Sequence, residues 1–219
     1  MALLSVSLFA ADIMQLRDEI ASISESGADR LHIDIMDGHF VPLFGCNTIW
    51  IKKVLAEIKI PAEIHFMAYL TEDLLEQYLL LKPEEAVIHI EAAEFDKNVR
   101  LLKKITYAGA DCGLAISPAT SPDALTPYLP YINTVLVMSR KPGEENSEFT
   151  EEVYTRIRDI DKMIRREERE IRINVDGGLD AGRALKAVKS GADEVVIGRA
   201  FYGEKNKRKM VESIHKNKR

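Results

Sequence analysis

Short runs of β-branched and apolar residues alternate with longer stretches of helical period along the whole chain, and eight such pairs fit into 219 residues. The strand-like runs are Leu3 to Phe9, Arg30 to Met36, Ala62 to Met67, Ala86 to Ile90, Cys112 to Ile116, Thr134 to Met138, Ile171 to Val175 and Glu194 to Ile197. The stretches between them are amphipathic. Val153, Ile157, Ile160 and Ile164 make a helical seam, which leaves Arg156, Arg158, Asp159, Arg165, Arg166 and Glu167 on the solvated side. Gly-Ala-Asp recurs at 27–29, 109–111 and 191–193, each time ahead of a strand-like run, where glycine suits the left-handed cap that ends a helix. Strand-then-helix repeated eight times without a linker predicts an α/β protein, one (β/α)8 barrel domain over residues 1–219. An open, doubly wound sheet is the alternative. It lacks its usual signal, because no Gly-x-Gly-x-x-Gly turn follows the first run.

A chain of this length buries about 70% of the surface its unfolded form exposes, so the core needs no covalent staple. Cys46 and Cys112 are far apart and form no Cys-x-x-Cys, which excludes a zinc knuckle or redox pair and suits a reducing, cytoplasmic compartment. Thirty Lys and Arg against 35 Asp and Glu give a net charge of −5, so no broad basic surface for nucleic acid is expected, while a local site can still hold an anion. Lys205, Lys207, Arg208, Lys209, Lys216, Lys218 and Arg219 read as a solvated last helix whose cations complement its C-terminal dipole. No apolar run is long enough to cross a bilayer and no charged leader precedes Leu3 and Leu4, so no membrane partner is expected.

Side chains alternate across a strand, so His32, Asp34 and Met36 share one face of the second run and Ile33 and Ile35 the other. The third run sets Glu63, His65 and Met67 against Ile64 and Phe66, and the seventh sets Arg172, Asn174 and Asp176 against Ile173 and Val175. In a barrel sheathed by helices the apolar sets face outward, the polar sets face inward, and chemistry belongs at the C-terminal strand ends. His32, Asp34, His65 and Asp176 then converge. Two imidazoles and two carboxylates suit one divalent ion of borderline character, Zn2+, Fe2+, Mn2+ or Co2+. One His or Asp at a strand end is ordinarily a hydrogen-bonded structural group; four at the same end point to a site.

The stretch Leu31-His32-Ile33-Asp34-Ile35-Met36-Asp37-Gly38-His39-Phe40-Val41-Pro42 resembles the signature of the ribulose-phosphate 3-epimerase family. Further matches follow in order: Ser7-Leu8 with Ala11-Asp12, His65-Phe66-Met67, His89-Ile90-Glu91, Ser117-Pro118-Ala119-Thr120, Met138, Asp176-Gly177-Gly178 and Gly198. The resemblance implies a TIM barrel of the ribulose-phosphate-binding type and a metal-dependent isomerase that inverts C3 of a ketose phosphate. That substrate is ribulose 5-phosphate, xylulose 5-phosphate or a related pentulose or hexulose phosphate. By the same resemblance His32, Asp34, His65 and Asp176 hold the metal, Asp34 and Asp176 are the acid/base groups, and Ser7 contacts substrate hydroxyls. The residue types suit that chemistry. Inverting a carbon beside a carbonyl needs proton removal from one face and delivery to the other, and a Lewis-acidic cation stabilises the enediolate. Met36, Met67 and Met138 would wall the intermediate or simply fill core, and His89 and Glu91 either support the metal shell or serve structure.

In this family backbone N–H groups after the sixth, seventh and eighth strands grip the phosphate, and Gly177, Gly178, Gly198 and Arg199 supply two of those three pieces. The third departs. Where the family carries Pro-Gly-Phe-Gly-Gly, residues 139–149 read Ser-Arg-Lys-Pro-Gly-Glu-Glu-Asn-Ser-Glu-Phe. Only Gly143 remains, Glu144, Glu145 and Glu148 repel an anion, and Arg140, Lys141 and Arg199 are the compensating cations. Pro42-Leu43 stands where the family has Pro-Asn. Homo-oligomerisation is an expectation from the resemblance alone. An orotidine-phosphate-type decarboxylase would need a lysine between Asp34 and Asp37, which is absent, and a barrel glycosidase leaves His32 and His65 unexplained. A sugar-phosphate-binding relative that kept the fold without catalysis is the non-enzymatic alternative.

Overall fold

Eight parallel strands pair in sequence order and close on themselves in a computed structural model, which describes residues 1–144, 147–167 and 169–217. They are β1 (Leu3–Ser7), β2 (Arg30–Met36), β3 (Ala62–Met67), β4 (Glu85–His89), β5 (Asp111–Ile116), β6 (Thr134–Met138), β7 (Arg172–Asp176) and β8 (Glu194–Ile197), with β8 returning to β1. The helices are α1 (Leu16–Ser26), α2 (Thr48–Glu57), α3 (Glu72–Leu79), α4 (Phe95–Tyr107), α5 (Val153–Ile164), α6 (Ala181–Ser190), α7 (Arg199–Tyr202) and α8 (Lys207–His215). After β5 the crossover is a 3-10 segment, Pro122–Tyr131, because Pro127 and Pro130 each remove a donor that an α-helix would need. The barrel is the (β/α)8 architecture expected from the repeat, with this one crossover wound more tightly.

Local signals start and stop these elements. Asn47, Thr71, Asp180 and Asn206 cap α2, α3, α6 and α8 by accepting from the N–H groups of Trp50, Leu74, Arg183 and Lys209. Gly27, Gly109 and Gly191 follow α1, α4 and α6 with φ of +84°, +85° and +120°, which an L side chain resists. Four strands differ by one or two residues at an end from the sequence expectation. β1 stops at Ser7, where Leu8–Ala10 tightens into a 3-10 turn, and β4, β5 and β7 begin or end where the ladders place Glu85 opposite Asp111 and Asp176 opposite Met138. Inward and outward parity is unaffected, because it belongs to the residue and not to the strand's ends.

The outward set makes the main core. Ile33, Ile35, Ile64, Phe66, Val135, Val137, Ile173 and Val175 pack under Ile23, Ile51, Leu75, Leu102, Ile157 and Val188 of the surrounding helices. Arg156 corrects the expected solvated face of α5. It is 7% exposed, and its guanidinium donates to Pro118 O at 3.1 Å and Ser117 O at 3.0 Å, while Arg158, Asp159, Arg165, Arg166 and Glu167 are exposed as expected. The basic tail is also corrected. Lys207, Arg208 and Lys209 lie in the first turn of α8, the end where cations oppose the dipole; Lys207 turns back toward Glu19 and Arg208 toward Glu25 O. Lys218 and Arg219 lie outside the described residues. Among the described residues no helix is long and apolar enough to cross a membrane.

The barrel interior is divided. On the β4–β6 side Val87, Ala115, Leu136 and Met138 form a small apolar cluster. At the N-terminal ends of the strands lies a buried ionic layer: the Arg30 guanidinium pairs with Glu85, lies 3.7 Å from Glu194, and reaches Glu84 at 2.7 Å at the rim. Arg172 reaches Glu85 at 2.8 Å and Asp111 at 3.2 Å, and the Ser5 hydroxyl donates to Glu194 at 2.5 Å. Burial and the charges of Glu63 and Glu85 outweigh Arg30 and push the Glu194 carboxyl up to about 7. Carboxylates at inward positions of β3, β4 and β8 thus make the platform on which the C-terminal residues of the strands stand.

Candidate active site

β2, β3 and β7 deliver His32, Asp34, His65 and Asp176 to the C-terminal mouth of the barrel, one ligand atom of each within 4.8 Å of all the others. His32 Nε2 lies 3.1 Å from Asp34 Oδ1 and 3.8 Å from Asp176 Oδ2. His65 Nδ1 faces the same two oxygens at 3.2 and 4.0 Å. The β2–β3 register, with Asp34 opposite His65, fixes half of this set. Asp176 arrives from β7, separated from β2 by β1 and β8, so the two carboxylates enter from different walls.

His32 Nδ1 donates to the buried Glu63 carboxylate at 2.6 Å, and Asn174 Nδ2 holds the other Glu63 oxygen at 3.0 Å. When His32 carries one proton, the Nε2 lone pair therefore points at the two aspartates. Nitrogen and oxygen lone pairs that face one another this closely need a positive charge among them. The spacing fits a divalent ion, since a tetrahedral zinc with bonds of about 2.0–2.1 Å sets its ligand atoms about 3.4 Å apart. The electrostatics agree. Burial disfavours charge on His32, yet Asp34 and Glu63 outweigh it and hold the imidazole well above its usual range. Asp34 is buried too, but His32 and His65 hold it well below the usual carboxylate range, while burial and the Asp34 charge push Asp176 up against the pull of His32, His65 and Arg140.

Above the four residues opens a cavity of about 610 Å3 that Ser7, Met36, Met67, Met138, Gly143, Gly177, Gly178, Gly198 and Arg199 all line. His65, also expected from the sequence to contact substrate, is fully buried and does not border this space. Ser7 Oγ donates to Asp34 Oδ2 at 3.1 Å. Met36 and Met67 pack with Val41, Phe40 and Leu43 on one wall, and Met138 stands on the other with Leu136. Ser139, one residue past β6, donates its hydroxyl to the backbone carbonyls of Asp176 and Gly177, and Gly177 holds φ of +111° with Arg140 Cγ only 2.8 Å from where a Cβ would stand.

Two of the three glutamates in the loop after β6 are described. Glu144 borders the cavity but is paired with Lys141, and Glu148 is exposed and does not border it. Glu145 and Asn146 lie outside the described residues. Arg140, Lys141 and Arg199 all line the space. Arg183 joins them from α6, donating to Gly178 O at 2.8 Å with its guanidinium 4.3 Å above the Phe149 ring. Sequence reading passed over Arg183 because it sits on a helix, where a lone arginine is ordinarily solvent-facing. Its position three residues past the Asp180 cap, just after the Gly177-Gly178 turn, was the available signal.

Three comparisons place this arrangement among known proteins. The profile of the Ribulose-phosphate 3 epimerase family matches residues 3–202. The ribulose-phosphate 3-epimerase of Mycobacterium tuberculosis is 34% identical over 201 residues, covering 92% of this chain and 86% of that protein. That of Methanocaldococcus jannaschii is 32% identical over 211 residues, covering 96% and 88%. Among solved structures, KGPDC from Streptococcus mutans superposes with a TM-score of 0.73 at 11% identity, covering 99% of this chain and 96% of that one, which speaks for the fold alone. The family match along nearly the whole chain and relatives above 30% identity show that the chain is an isomerase and belongs to the ribulose-phosphate 3-epimerase family.

Proposed function

We propose that the protein is a metal-dependent epimerase that inverts C3 of a ketose phosphate, either ribulose 5-phosphate and xylulose 5-phosphate or a related pentulose or hexulose phosphate. The observation that carries this reading is the convergence of two imidazole nitrogens and two carboxylate oxygens within 4.8 Å at the floor of the cavity. His32, Asp34, His65 and Asp176 would hold one divalent ion, Zn2+, Fe2+, Mn2+ or Co2+ by the donor set. When bound, that ion supplies Lewis-acid stabilisation of the negative charge that develops on the substrate as the C3–H bond breaks.

The chain's own groups do the rest. Asp34 takes the C3 proton on a carboxylate oxygen and Asp176 delivers one to the opposite face; in the reverse direction the roles exchange. The entry of these carboxylates from β2 and β7 supports that division. Met36, Met67 and Met138 keep water from the reacting carbon, and Ser7 steers Asp34 and the substrate hydroxyls. Backbone N–H groups around Gly177, Gly178 and Gly198 and the Arg140 and Arg199 side chains receive the phosphate.

Incubation of the metal-loaded protein with a panel of ketose phosphates in D2O tests the reading. Proton NMR is expected to show loss of the C3 signal and appearance of the C3 epimer for at least one of them. No exchange with any member of the panel would overturn it.

A further inference from the structure

A chain of hydrogen bonds leads outward from His65 through residues that the reaction above does not use. At its outer end the Glu91 carboxylate, in the 3-10 turn Ile90–Ala92 after β4, accepts through Oε1 from the Ser117 N–H at 2.8 Å and from the Thr120 hydroxyl. The carbonyls of Ser117 and Pro118 are in turn held by the buried Arg156 of α5. Through Oε2 the same carboxylate meets His89 Nδ1 at 2.9 Å, and His89 Nε2 lies 3.0 Å from His65 Nε2, with both rings fully buried.

Proton positions follow from the partners. A carboxylate only accepts, so the single proton of a neutral His89 sits on Nδ1 and its Nε2 can only accept. His65 must then donate from Nε2, which leaves the lone pair on His65 Nδ1, the atom that faces Asp34 and Asp176. We propose that Glu91 and His89 are positioning residues that lock His65 in the tautomer able to ligate through Nδ1, and so set the affinity of the centre for its divalent ion. The proposal rests on the metal-centre reading above. It extends the Glu63 hydrogen bond to His32, giving each imidazole of the centre a partner that dictates its tautomer.

Glu91→Gln is the diagnostic substitution. An amide offers one acceptor and one donor, so it must set an N–H against either the Ser117 N–H or the His89 Nδ1–H, and the second arrangement reverses the tautomers of both histidines. His89→Phe, which removes the acceptor for His65, is the second variant. Metal-free parent and variants are titrated with Zn2+ in competition with a chromophoric chelator, their metal-free melting temperatures are recorded, and the ring 15N shifts of His65 are measured in the metal-free state at pH 8.

The parent is expected to bind one Zn2+ and to show His65 protonated at Nε2. Glu91→Gln is expected to weaken Zn2+ binding roughly 10- to 100-fold, with the metal-free melting temperature little changed. An unchanged Zn2+ affinity in both variants, or a parent His65 protonated at Nδ1, would overturn the proposal while leaving the metal centre standing. A parent that binds none of Zn2+, Fe2+, Mn2+ and Co2+, each titrated in the same way, would overturn the metal-centre reading itself and this proposal with it.

Discussion

Replacing Glu194 with glutamine is expected to flatten the pH dependence of stability. In the unfolded chain this carboxyl titrates near 4.5, and in the barrel it is pushed to about 7, by burial first and then by the Glu63 and Glu85 charges, against Arg30. The folded protein therefore holds this proton more tightly than the unfolded chain does. Stability from the group is fully present below pH 4.5 and is lost as pH rises through about 7. A shift of that size corresponds to about 3 kcal/mol between the two ends of the window. For a chain of this length each kcal/mol moves the melting temperature by about 2–4 °C, so this residue accounts for a fall of roughly 6–12 °C. Glutamine is neutral throughout, keeps an acceptor for the Ser5 hydroxyl, and leaves Arg30 with Glu84 and Glu85. Circular dichroism melts of parent and Glu194→Gln, run with chelator from pH 5 to 8, measure the difference, because contributions from the metal-centre residues are common to both. Parallel curves would refute the reasoning and show that Glu194 is ionised in the barrel throughout the window.

Three further outcomes are expected. Asp34→Asn keeps the shape of the buried carboxyl but removes the proposed base, so C3 proton exchange should fall by about 10²- to 10⁴-fold while the circular dichroism spectrum is unchanged. Arg140→Ala removes a cation that lies across the Gly177-Gly178 turn; steady-state kinetics should show KM raised by about 10- to 100-fold, with the larger change in KM than in kcat. Gly177→Ala forces an L side chain into φ of +111° with Ser139 Oγ at 3.0 Å, and denaturant unfolding should show a loss of about 1–3 kcal/mol.

The alternation of apolar and polar residues carried most of the architecture. Ile33 and Ile35 against His32 and Asp34, or Ile173 and Val175 against Asn174 and Asp176, fix inside and outside without reference to where a strand begins, which is why shifted ends of β4 and β7 cost the site nothing. What stayed hidden depends on neighbours distant in sequence. Arg156 reads as one more cation on a charged helix face, and only the packing of α5 against the loop after β5 places carbonyl oxygens within its reach. The ionic layer was half visible: Glu63 and Arg172 share the inward parity of the site residues, but Arg30, Glu85 and Glu194 become one cluster only when β2, β4 and β8 meet inside the barrel. Charge counting likewise does not show where the acids of the loop after β6 stand, because the Lys141–Glu144 pairing and the exposure of Glu148 are matters of conformation and not of composition.

The central claim is that two carboxylates on different barrel walls, Asp34 and Asp176, exchange protons with opposite faces of C3. Its most direct test is the isotopic content of C3 at low conversion in D2O, with the metal-loaded protein and the ketose phosphate that the panel identifies. Two groups acting from opposite faces predict a newly formed epimer that carries solvent deuterium at C3, while the unreacted substrate still carries protium. An epimer that retains the substrate's own C3 proton would contradict the account, because that proton would have been lifted from one face and returned to the other by a single group.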